Sequence, residues 1–285
     1  MADELERVRK ALRELRKTLK SLPGDPPPKE VHKLRTTTRR VEAIATAVPL
    51  SGGKKSRQLL KSIETIRKAA GGVRDMDVLT ANARRLARYS AGDSLARLLE
   101  HLKNAREQYA AQLVAALNHH KRKAVRQSLK EYSKLVRSAL PPADSGSSVN
   151  GHPGGHRGAH RGHSHDGVHT SAMNLVRELA AWPALDASNI HAFRLKVKEL
   201  RYTLQLDADA DPALVDTLTD VQRRIGEWHD WQELKEIARE ALNAERDAAL
   251  LARIDRTAKR KLERALSAAN GLRGKYLAAP IAMGS

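Results

Sequence analysis

The sequence predicts an all-α fold, and three observations carry that expectation. Hydrophobic residues make up 41% of the chain but aromatic residues only 3%, with Ala and Leu prominent. Strands usually collect β-branched and aromatic side chains, so this balance favours helices. Apolar residues recur at alternating three- and four-residue steps over most of the 285 positions, the period of a helix with one buried face. No segment alternates in the manner of a strand.

The elements follow in order. Leu5, Val8, Leu12, Leu15, Leu19 and Leu22 form one amphipathic seam, which Pro23-Gly24 ends. Pro26 to Pro28 precede a second helix, proline being tolerated in a first turn, and Val31, Leu34, Thr38, Val41, Ala45 and Val48 give its inward face. Further helices are expected over 54–71, 76–90, 93–118 and 121–139, and then near 172–181, 189–206, 213–228, 231–243 and 246–276. Between the two sets, Pro141 to Ser171 reads PPADSGSSVNGHPGGHRGAHRGHSHDGVHTS, a composition that cannot bury a core. The expected organisation is a first helical half over 1–140, a flexible His/Gly/Ser/Pro-rich linker over 141–171, and a second helical half over 172–285. The linker holds six of the twelve histidines. Such a tract collects Zn, Ni or Cu ions, but without acidic or thiolate partners at fixed geometry it does not make a selective site.

The two halves repeat a pattern. HKLRTTTR from His32 to Arg39 and HAFRLKVK from His191 to Lys198 both read His-x-x-Arg-x-x-x-basic. Downstream, GGVRDMDVL from Gly71 to Leu79 and GEWHDWQEL from Gly226 to Leu234 both read Gly-x-x-basic-Asp-x-x-x-Leu, with Arg74 and His229 at the basic position. The intervals agree, 43 residues from His32 to Asp75 and 39 from His191 to Asp230. His32, Arg35 and Arg39 share one helix face at i, i+3 and i+7, with Arg40 beside them. His191, Arg194, Lys198 and Arg201 extend the spacing to i+10, and each follows an apolar seam residue by one position. One residue is a rotation of about 100°, so these cations flank the buried face. Arg9, Arg13, Arg16 and Lys20 do the same on the opening helix. If such helices pack together, their cations converge on a shared groove. Asp75 and Asp230 read as helix N-caps or as orienters of neighbouring basic groups; Trp228, Trp231 and Tyr202 read as core or rim packing.

Charge points to the partner. Lys and Arg total 52 against 33 Asp and Glu, a net of +19. Residues 1–140 carry 32 against 14, net +18, and residues 141–285 carry 20 against 19, net +1. A surplus this large implies an anionic partner. Like charges crowded in a groove repel one another. A phosphate chain relieves that repulsion, Arg supplying forked hydrogen bonds and Lys a point charge.

At these residues the chain resembles the CHAD family of histidine-containing α-helical domains, over nearly everything outside the linker. KELRY from Lys198 to Tyr202 is similar to the family's second-half helix. The resemblance implies two four-helix bundles related by an internal pseudo-twofold repeat, and a basic central groove lined from both halves. It further implies polyphosphate binding and association with polyphosphate granules. Carried over residue by residue, the binding set is His32, Arg35, Arg39, Arg40, His191, Arg194, Lys198 and Arg201. Glu199 and Thr37 stand where such motifs often have basic residues. Some relatives are fused to triphosphate tunnel enzymes, and nothing in this sequence looks like that β-rich partner.

The expected partner is therefore inorganic polyphosphate. No cofactor or metal is expected, and the oligomeric state is left open. Cysteine is absent, which excludes disulfides, thiolate metal sites and a cysteine nucleophile. No Gly-rich phosphate loop, nucleophile elbow or His-Glu-x-x-His signature is present, so a binding protein is expected rather than an enzyme. The alternatives are nonspecific nucleic-acid binding, which the charge permits but the scarcity of aromatic rings disfavours, and phosphate or metal chemistry at His32 and His191. No apolar run approaches a membrane span, and MADELERVRK lacks the apolar core of a signal peptide, so a cytoplasmic protein is expected.

Overall fold

A computed structural model describes residues 2–47, 53–88, 92–139, 163–204 and 210–277. They form α1 (Ala2–Ser21), α2 (Pro28–Ala47), α3 (Gly53–Arg85), α4 (Asp93–Ala116), α5 (His119–Ala139), α6 (His163–Ala180), α7 (Ile190–Leu204), α8 (Pro212–Ala241) and α9 (Ala248–Leu272). A 3-10 turn over Leu86–Arg88 closes α3, and a π turn over Arg273–Leu277 closes α9. Among the described residues there is no strand, and no helix is long and apolar enough to cross a membrane.

The chain divides into two compact units, one drawn from Met1–Tyr89 and Ala96–Gly151, the other from Ser90–Leu95 and His152–Ser285. In the first, α1, α2, α3 and α5, with the C-terminal end of α4, surround one core. The opening seam is buried as expected, through Val8, Leu12, Leu15, Leu19 and Leu22, against Val31, Leu34, Ile63, Val73, Leu113 and Leu129. In the second, α6, α7, α8 and α9 surround Phe193, Val197, Leu200, Val221, Ile225, Trp228 and Ala269. Trp182 packs edge-on to Phe193, with ring centres 5.6 Å apart. Asp211 caps α8 by accepting from the Ala213 N–H at 2.9 Å, with Pro212 in the first turn. Ion pairs Lys235–Asp255 at 2.7 Å and Lys261–Glu227 at 2.6 Å cross between α8 and α9.

The structure differs from the sequence expectation in two ways. Helices expected to break after Gly71 and after Trp228 instead run through as α3 and α8. Gly in a helix interior costs about 1 kcal/mol relative to Ala. That is less than is gained by burying Ala70, Val73, Met76 and Leu79 on α3, or Ile225, Trp228, Trp231 and Leu234 on α8. Asp75 and Asp230 therefore sit mid-helix and cap nothing, which leaves the orienting role. The second difference concerns the expected linker. Its residues 141–162 lie outside the described residues, but its last nine, from His163, form the first turns of α6. Weak helix formers lower propensity by under 1 kcal/mol each, and a helix nucleated by buried Ala172, Leu175 and Leu179 propagates through them.

Candidate polyanion-binding faces

Each unit lays its motif arginine across its motif glycine. On α2, Arg35 reaches α3, where its Nη1 donates to Asp75 Oδ1 at 3.2 Å. The same nitrogen lies 3.2 Å from where a Cβ on Gly71 would stand. On α7, Arg194 reaches α8, where its Nε donates to the Gln222 carbonyl at 3.1 Å. Its Nη2 lies 3.2 Å from where a Cβ on Gly226 would stand. Gly71 and Asp75, like Gly226 and Asp230, are four residues apart and share a helix face. The glycine of the downstream motif is thus the seat of the arginine of the upstream one, because a side chain there would meet the guanidinium. The recurrence of Gly at matching distance was the only trace of this in the sequence.

The second unit gathers its motif cations closely. The His191 and His229 rings, on α7 and α8, are 5.1 Å apart at 49°. Both histidines are exposed, and Arg194 is half-buried. Burial, then the neighbouring His229 and Arg194, push His191 below the ordinary imidazole value. Burial also lowers Arg194, with Asp230 acting in the opposite direction. One turn on, the Arg201 guanidinium lies 4.6 Å from the ring centre of Tyr202, and Lys198 Nζ lies 5.7 Å from it. Tyr202 is half exposed, on the rim, while Trp228 and Trp231 are buried in packing. Glu199 turns away to Lys196 at 3.4 Å.

The first unit is more heavily paired. Arg13 and Arg9 are held by Glu6, at 2.5 and 3.7 Å, and Arg40 by Glu14 at 2.7 Å. These pairs are exposed and screened by solvent, so an anion can displace the carboxylates. Arg39 and Lys20 are exposed, as is His32, and Arg16 and Arg74 are half-buried. The Nε groups of Arg16 and Arg201 are buried with no acceptor. Thr37 is buried, and its hydroxyl donates to the Lys33 carbonyl at 2.9 Å, so it faces inward rather than toward a ligand. Among the described residues no three His, Asp or Glu side chains assemble a metal site.

Fold and faces define the class: an all-α protein of two helical units, each carrying a basic His–Arg face beside its core. The chain belongs to the CHAD domain family, whose family model matches residues 6–239. The match takes in every face residue described above and stops before α9. No curated protein and no solved structure gives a significant match.

Proposed function

We propose that the chain binds inorganic polyphosphate through the basic faces of its two units, as a binding protein without a catalytic step and with granule association as its setting. Membership of the CHAD family supports a polyphosphate-related role. The observation that carries the reading is the gathering of His191, His229 and Arg194 in the second unit, with the two rings 5.1 Å apart and His191 depressed by burial first and then by His229 and Arg194. Clustered cations that disfavour one another's charge gain most from an anion laid over them. Matching His–Arg and Gly–Asp motifs in both units fit an internal pseudo-twofold repeat, each half contributing its own face. Catalysis is not part of the reading, because the groups that act on His191 are cationic rather than a carboxylate orienter.

The test is competition between long-chain polyphosphate and duplex DNA over a salt series. Affinity for polyphosphate should fall steeply with salt through counterion release and still exceed that for DNA near 150 mM, roughly physiological ionic strength. Arg194→Gln/Lys198→Gln/Arg201→Gln should raise the off-rate, because direct phosphate contacts are lost. Lys54→Gln/Lys55→Gln/Lys123→Gln should mainly slow association, because it weakens long-range attraction from the first half. DNA binding as tight as polyphosphate binding sinks the assignment; a second-unit triple variant that binds normally confines the site to the first unit.

A further inference from the structure

A pocket between α3 and α4 in the first unit carries a different chemistry from the open basic faces. Arg74, Asp77, Ala81 and Arg84 line it from α3 at i, i+3, i+7 and i+10, and Glu100, Lys103 and Arg106 line it from α4, with Pro28 at its edge. Asp77 is the unusual member, its side chain being only 4% exposed. Its Oδ1 accepts from Arg106 Nε at 2.8 Å, while its Oδ2 is buried with no hydrogen-bond partner. The remaining donors of Arg106 are committed elsewhere, Nη1 to Asp25 at 3.2 Å and Nη2 to the Pro26 carbonyl at 2.8 Å. A buried carboxylate oxygen left without a donor is costly. Arg74 and Arg84 have no ion-pair partner among the described residues.

Two requirements follow for an occupant. Of the four lining cations, Lys103 is paired with Glu100 at 3.5 Å and Arg106 with Asp77 and Asp25, which leaves Arg74 and Arg84 for an occupant, so it must bring negative charge. It must also donate a hydrogen to Asp77 Oδ2, because an oxygen without a proton brought against that carboxylate only repels it. A phosphate that retains a P–OH satisfies both: its ionised oxygens face the arginines and its hydroxyl donates to the carboxylate. A phosphate in the interior of a chain is fully ionised and has no such hydrogen.

We propose that the α3–α4 pocket is a subsite for protonated phosphate groups: free orthophosphate, a phosphate monoester, or the terminal phosphate of a chain. The proposal deepens the polyphosphate reading and rests on it for the long-chain ligand, but not for the phosphate chemistry of the pocket. It gives the protein a means of telling chain ends from chain interiors.

The experiment is calorimetry on the full chain with inorganic phosphate and with sulfate, which match in shape but differ in the P–OH. Phosphate should bind roughly tenfold more tightly, the yield of one charge-assisted hydrogen bond gained and one repulsion avoided. Asp77→Asn keeps the oxygen that Arg106 holds and turns an amide donor toward the pocket, so it should erase or reverse that preference. Arg84→Gln, an exposed position, should weaken phosphate binding severalfold with the fold intact. Equal binding of phosphate and sulfate overturns the proposal, as does a preference unchanged in a folded Asp77→Asn variant, or phosphate binding indifferent to Arg84→Gln.

Linear tripolyphosphate against cyclic trimetaphosphate, which has no end, then identifies the source. A terminal phosphate loses its last proton near pH 6, so the linear form's advantage should shrink roughly tenfold or more between pH 6 and pH 8. Orthophosphate retains a P–OH throughout, and no histidine lines the pocket to add its own titration. A preference for phosphate over sulfate without a linear advantage assigns the pocket to free phosphate or monoesters. If the phosphate preference holds while long-chain polyphosphate does not bind, the polyphosphate reading fails and the subsite stands.

Discussion

Replacing Gly226 by Ala places a methyl group 3.2 Å from Arg194 Nη2, 3.6 Å from its Nε and 3.8 Å from its Cζ. The first contact is a few tenths of an ångström too short, and the neighbour is the far end of a flexible side chain, so the guanidinium yields rather than the backbone. Two energies then oppose each other. Ala in a helix interior is favoured over Gly by about 0.8–1.0 kcal/mol. Breaking the Arg194–Gln222 carbonyl bond, with its charged donor, costs about 1.5 kcal/mol if it is lost entirely. Folding stability should therefore change by less than about 1 kcal/mol. Binding should not be spared, because the displaced guanidinium no longer meets a phosphate in its forked geometry. One such contact is worth roughly 1.5 kcal/mol, or about tenfold in affinity.

Thermal melts and polyphosphate calorimetry on Gly226→Ala and Gly71→Ala would separate the two quantities. Gly271→Ala is the control, since a Cβ there meets nothing within 4 Å; it should leave binding untouched. If Gly226→Ala binds polyphosphate like the parent, the glycine does not serve the ligand through Arg194. A loss of several kcal/mol in stability would show that α7 and α8 are packed too tightly there for the arginine to move.

Two further outcomes are expected. His191 lies below its ordinary value in the free protein, so the stability it contributes is present above about pH 6.5 and is lost as pH falls through the depressed value. A bound polyanion favours protonated imidazole, so affinity should rise as pH falls from 8 to 6, and His191→Gln/His229→Gln should flatten the profile measured by calorimetry. Replacing residues 141–162 with a Gly/Ser segment of equal length should leave the melting temperature nearly unchanged. Replacing 163–171 should lower it, because those residues are the first turns of α6; an equal effect from both replacements would refute the distinction.

Much of this protein was legible in the sequence alone. A seam such as Val8, Leu12, Leu15 and Leu19 is a local signal, since a helix sets the direction of every side chain from the residue number. The seam is buried as its spacing requires. The cations that follow each seam by one position lie beside the core for the same reason, and the repeated His–Arg and Gly–Asp motifs marked residues that the fold brings together, Arg35 with Asp75 and Arg194 over Gly226. Tertiary structure decided what those motifs do to one another. Helix continuity through Gly71 and Gly226 depends on burial against partners distant in sequence, which outweighs a propensity difference of about 1 kcal/mol. That continuity carries Asp75 and Asp230 past any capping position and sets the two glycines beneath Arg35 and Arg194. The sequence gives Asp77, between Met76 and Val78, no distinguishing pattern. Only the packing of α4 against α3 buries it, ties one oxygen to Arg106 from 29 residues away and leaves the other without a donor. A residue's period along the chain states which way it points, whereas its ionic and hydrogen-bond partners are set by where other helices come to rest.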